Sequence, residues 1–117
     1  MSINLHVVYK NDEKEVYKPI ISQGMSSEYA EYWEPIVTRL NLEWVWLVNS
    51  AGLPLLSHLD QMDEIGDDFR KLQGGVLEIA QISETHKTHL LECIQFIILV
   101  IDEIQADPTR FLHVYLG

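Results

Sequence analysis

At the start of the chain, Ile3, Leu5 and Val7 alternate with Asn4, His6 and Val8, the period of two expected of a strand with one face against a core. After a polar stretch over residues 10–14, the apolar Val16, Tyr17, Ile20 and Ile21 predict a second strand and therefore a hairpin. Pro19 places that second strand at a sheet edge, because proline has no N–H to give to an interior ladder.

The period then changes. Ser26 or Ser27 can cap a helix, with Glu28 and Glu31 suited to its positive end. Tyr29, Trp33, Ile36, Val37, Leu40, Trp44 and Leu47 follow at spacings of three or four. Two readings remain: one helix to about residue 48, kinked at Pro35, or a helix ending at Leu40 and then a buried strand over 44–48. The spacing slightly favours the first. Asn49, Ser50, Ala51, Gly52 and Pro54 form a stop.

Leu55 or Ser57 opens the next helix, which runs through Phe69 and Leu72. The Gly74 and Gly75 pair predicts a bend or break before Val76, Leu77, Ile79 and Ile82 resume the apolar pattern. Ser83 can cap a last helix over 84–106, terminated by Asp107 and Pro108. A closing apolar strand over 111–116 is placed beside the first. At 1.5 Å per residue the last helix spans about 34 Å, enough to cross a small domain. These elements predict one α+β domain over residues 1–117. Its small antiparallel or mixed sheet comes from the N- and C-terminal strands and packs with three to four helices, the last long and central.

Composition narrows the function. The 117 residues carry a formal charge of -10, and 47% hydrophobic content fits an ordered globule. One cysteine, Cys93, rules out an internal disulfide. The start lacks a signal-peptide pattern, so the chain is expected to stay in the cytoplasm. The apolar run over 90–101 is shorter than the roughly 20 residues of a bilayer span and reads as core. Eight lysines and arginines are scattered without a stripe, which disfavours nucleic acid and anionic membranes as partners.

Charge is densest at Asp60, Asp63, Glu64, Asp67 and Asp68, interleaved with Leu59, Met62, Ile65 and Phe69 at helical spacing. These acids lack the ligand order of a calcium loop. His86, His89 and Cys93 share one side of the last helix, yet a zinc site normally draws on at least two segments, so no metal is expected. No glycine-rich phosphate cradle, nucleophile elbow or triad context is present, and neither a cofactor nor enzymatic activity is expected. The tryptophans Trp33, Trp44 and Trp46 lie in an apolar region and read as core, except that an outward-pointing Trp46 would make an interface anchor.

From Leu59 onward the chain holds eleven acids against four basic residues, so a binding face is expected in the second half. The expectation is a non-catalytic acidic binding protein with a basic protein partner. Bacterial immunity proteins, which neutralise nuclease toxins by covering their nucleic-acid-binding surface, share this physical type in size, charge and compartment. The alternative is a small helical adaptor or homodimer that buries an apolar helix face, with the acids serving solubility.

Overall fold

The computed structural model describes residues 3–10, 15–21 and 29–117, with the backbone alone at 18–21 and 29–30. Strands β1 (Ile3–Tyr9) and β2 (Glu15–Ile21) pair antiparallel. A π-helical turn, Tyr29–Trp33, leads into helix α1 (Glu34–Leu40), followed by α2 (Glu43–Ser50) and a two-residue strand β3 (Leu53–Pro54). A 3-10 segment, Leu55–Gln61, precedes α3 (Met62–Leu77). Helix α4 (Glu84–Ala106), a 3-10 turn (Pro108–Arg110) and β4 (Phe111–Leu116) complete the fold.

The fold is α+β, as the period changes predict. The sheet is wholly antiparallel in the order β2-β1-β4-β3, so the first and last strands lie side by side, with Leu5 opposite Leu116 and Val7 opposite Val114. Strand β2 is an edge, as Pro19 requires. The fourth strand comes from the segment expected to be only a stop. Residues 11–14, Ser26, Ser27 and Glu28, which carry the predicted turn and first helix cap, lie outside the described residues.

Ile3, Leu5 and Val7 of β1 and Phe111, Val114 and Leu116 of β4 are all buried on one face of the sheet, where the helices pack. Helix α4 keeps its predicted limits. Ser83 accepts a hydrogen bond from the His86 N–H at 3.2 Å, and Asp107 closes the other end with extended backbone ahead of Pro108. Its buried residues, Leu90, Cys93, Ile94, Ile97, Ile98, Val100, Ile101 and Ile104, cover nearly half its circumference. Among the described residues no helix is long and apolar enough to cross a membrane.

Residues 29–48 correct both earlier readings, being neither one long helix nor a helix and a strand. Asn41 takes the left-handed conformation (φ 55°, ψ 54°), which asparagine tolerates better than most residues. The Leu42 N–H then bonds back to the Val37 carbonyl at 3.0 Å, a Schellman-type ending that buries Leu42 with Val37. The core face shifts accordingly. Leu42, Val45 and Val48 point inward, while Leu40 is exposed and Trp44 and Leu47 are half-buried. Pro35 lies in the first turn of α1, directly after the π-helical turn Tyr29–Trp33, and Trp33 at the junction is itself in right-handed helical geometry (φ -87°, ψ -46°).

The expected break at Gly74 and Gly75 is also absent: α3 runs straight through both. Gly75 is buried because α1 crosses there, and a β-carbon on it would stand 2.6 Å from Ile36 Cγ2. Around Gly74 there is open space. Residues 55–61, expected to be the first turns of this helix, wind as 3-10, with His58 out of helical geometry.

Opposite effects are therefore expected at neighbouring glycines. Gly74→Ala should raise unfolding free energy by about 0.5–1 kcal/mol through helix propensity. Gly75→Ala should lower it by on the order of 1 kcal/mol, because crowding of Ile36 outweighs the same gain. Urea denaturation of the two variants checks both signs.

Candidate functional site

Helix α3 has two well-separated sides. Met62, Ile65, Phe69, Leu72 and Val76 are buried against α4 and the rest of the core. At 100° per residue, Asp63, Asp67, Glu64 and Asp68 then fan over an arc of about 140° on the opposite side. Asp60, at the end of the 3-10 segment, continues the line. Asp60, Asp63, Glu64 and Asp67 are exposed and Asp68 is half-buried, so the five predicted carboxylates share one ridge. Gln61, the residue before α3, supplies no side-chain cap. Asp63 and Glu64 in the first turn place negative charge at the positive end of the helix, and that attraction favours the helix independently of any partner.

The edges of the ridge are tied to its neighbours. Asp63 accepts a hydrogen bond from the Gln105 amide of α4. On the other edge Asp68 accepts from the backbone N–H of Trp44 at 2.9 Å. That contact has a structural meaning. Leu42, preceding α2, has no side-chain oxygen with which to cap it, so a carboxylate from α3 satisfies one of the free N–H groups at its start. Burial raises the Asp68 pKa above the ordinary carboxylate value, opposed by the Trp44 hydrogen bond and Lys71 and reinforced by Glu43 and Asp67.

The crest is different. Arg70 lies 2.8 Å from Asp102 of α4 but 3.9 Å from Asp67, so its charge is directed mainly across to the neighbouring helix. Among the described residues neither Asp60 nor Glu64 has an ion-pair partner within 4.0 Å. Two depressions flank the crest. One of about 340 Å3 between α3 and α2 is lined by Glu43, Trp44, Glu64, Asp67, Asp68 and Lys71. The other, of about 250 Å3, lies between the ridge and α4 and is lined by Leu59, Asp60, Met62, Asp63, Ile104, Gln105 and Pro108.

Trp46 points outward, 54% exposed, but it does not join the carboxylates. Two residues along α2 turn it about 160° away from Trp44, the tryptophan that lines the cleft and meets the His58 ring edge-on at 5.4 Å. Trp44 and Glu43 are thus site residues that sequence reasoning missed, since recognising them requires the break at Asn41. His86, His89 and Cys93 lie apart from the ridge. His86 packs edge-on against Tyr32 at 4.8 Å, and Cys93 is buried with its sulfur 3.8 Å from His89 Nε2. Among the described residues no three or more His, Cys, Asp or Glu side chains converge as metal ligands.

Asp68→Ala should lower stability by about 1 kcal/mol through loss of the α2 cap, whereas Asp68→Asn, which keeps an acceptor, should retain most of it. The raised pKa fixes the pH dependence: the folded state holds the Asp68 proton more tightly than the unfolded state, so the contribution of this group to stability grows as pH falls. Relative to the unaltered protein, Asp68→Asn should therefore be more stable at neutral pH than near the ordinary carboxylate pKa. Paired denaturant titrations at the two pH values measure the difference.

No protein-family model, curated protein or solved structure matches this chain.

Proposed function

We propose that this chain is a non-catalytic, cytoplasmic binding protein whose α3 carboxylate ridge docks onto a basic protein. The type of partner that best suits it is a bacterial nuclease toxin whose nucleic-acid-binding surface the ridge would cover, the role of an immunity protein. One observation carries the reading: Asp60, Asp63, Glu64 and Asp67 stand exposed on one side of the molecule, and the nearest arginine, Arg70, is engaged chiefly by Asp102.

Energetics support it. Asp63 with Asp67 and Glu64 with Asp68 are like charges four residues apart on α3, each pair costing a helix about 0.2–0.5 kcal/mol. The helix dipole offsets this in the first turn, and beyond it Asp67 is compensated in part by Arg70, 3.9 Å away, and by Lys71 one turn on. Solubility requires charge, but not charge at this density on one side. A surface built to hold phosphates presents lysines and arginines, and a ridge of carboxylates repeating about 6 Å along the helix axis offers them successive partners. Such a pairing accelerates encounter and selects against acidic partners, while half-buried Trp44 at the cleft supplies an aromatic surface close to the charges.

The test replaces Asp63, Glu64 and Asp67 together with serine and follows binding to the basic protein that co-purifies with this chain from its native cell. Association should slow by about tenfold or more at low salt and lose most of its salt dependence, while the far-ultraviolet circular dichroism of the folded protein is retained. Unchanged kinetics, or a variant that no longer folds at all, would reject the ridge as a docking surface.

A further inference from the structure

The helices cover one face of the sheet, and its other face has a distinct character. Asn4, His6 and Val8 alternate with the buried residues of β1 and point away from the core. Across the ladder, His6 stands opposite Tyr17 on β2 and Tyr115 on β4, while Val8 stands opposite His113. The rings touch in a continuous band. His6 meets Tyr17 at 6.2 Å and His113 at 5.4 Å, both edge-on, and His113 stacks on Tyr115 at 6.3 Å with planes 7° apart.

A bulge extends the band. The register of β1 with β4 shifts between Val8 and Tyr9, which leaves Leu112 without a partner and 53% exposed beside His113. Tyr17 is 60% exposed. The face is also nearly free of net charge: its one described carboxylate is Glu15, which His6 Nε2 contacts. In a chain with 18 acidic residues that is a marked local depletion.

We propose that this outer sheet face seats a second copy of the chain, forming a two-fold dimer with the sheets packed face to face. Charge selects the occupant. Two molecules of formal charge -10 repel over most of their surfaces and can approach closely only where carboxylates are sparse, which is here. A basic partner gains little from a face whose one acid already contacts a histidine. A two-fold interface needs a patch complementary to itself, and a band of aromatic rings meets that condition because ring edges and faces can stack on their own image.

Area sets the strength. Three strands of six or seven residues and the two-residue β3, about 4.8 Å apart and about 3.3 Å per residue, give a projected footprint of about 350 Å2 per copy. Side-chain relief adds to that figure, yet the sum stays at or below the roughly 800 Å2 per partner of a standard stable interface. The dimer is therefore reversible and concentration-dependent. It lies on the far side of the sheet from α3, so it leaves the carboxylate ridge free, and it stands independently of the function proposed above.

Sedimentation equilibrium of the intact protein, from micromolar to millimolar concentration, should show the mass rising from 13.6 kDa toward twice that value. Tyr17→Lys and His113→Lys should each weaken dimerisation about tenfold or more. Leu99→Ser, on the exposed side of α4, and the triple serine variant of the ridge should leave it unchanged. Should a lysine variant fail to fold, amide shift changes on dilution of the unaltered protein decide the matter, since they should concentrate in β1, β2 and β4. A monomer at every concentration, a dimer that survives both lysine substitutions, or dilution shifts confined to the helices would overturn the proposal.

Discussion

Helix α4 is too apolar to be covered by a single neighbour, and the rest of the molecule is arranged around that fact. Its buried arc, from Leu90 to Ile104, needs the inner face of the sheet and the apolar side of α3 together to exclude water. Each neighbour spends its own apolar side on this contact. The sheet gives Leu5, Val7, Val114 and Leu116, and α3 gives Ile65, Phe69 and Leu72. What faces solvent is whatever lies opposite: a band of aromatic rings on the sheet and a ridge of carboxylates on α3. Two chemically different surfaces thus follow from one packing requirement.

Secondary contacts set the finer geometry. Helix α2 is held to α3 by Asp68, a cap borrowed from a residue 24 positions later, and α1 is admitted close to α3 because Gly75 has no side chain to obstruct Ile36. Around the short strand β3, Gly52 has a positive φ of 78°, and the Tyr115 ring occupies the space a β-carbon would fill. These close approaches fix the helices that border the acidic cleft.

The parts legible in the sequence are those governed by local signals. Ser83 and the Asp107-Pro108 pair bracket α4 because capping and helix termination act within a few residues. Alternation in β1 and the closing position of β4 follow from the period of two. The acidic ridge is legible for the same reason, since four of its five carboxylates sit on α3 and Asp60 lies in the 3-10 segment just before it. Illegible parts depend on contacts made across the fold. Asn41 can continue or end a helix, and only the chance to bury Leu42, Val45 and Val48 decides it. Gly74 and Gly75 look alike in the chain, and only the passage of α1 distinguishes them. Asp68 reads as another surface acid until α2 is placed beside it. The ring band on the sheet was hidden for a related reason: His6, Tyr17, His113 and Tyr115 come from three strands that only the topology assembles.

The pairing of β1 with β4 also bears on how the molecule forms. Leu5 reaches its partner Leu116 only after nearly the whole chain has been gathered, whereas α3 and α4 are close in sequence and dock early at small entropic cost. The β1–β2 hairpin must meanwhile wait with one edge unfilled, open to pairing with a stray strand from another molecule. Closure of the sheet is then the slow event in folding, and crowding at that moment, before the last strand zips into place, is when this protein is most exposed to aggregation.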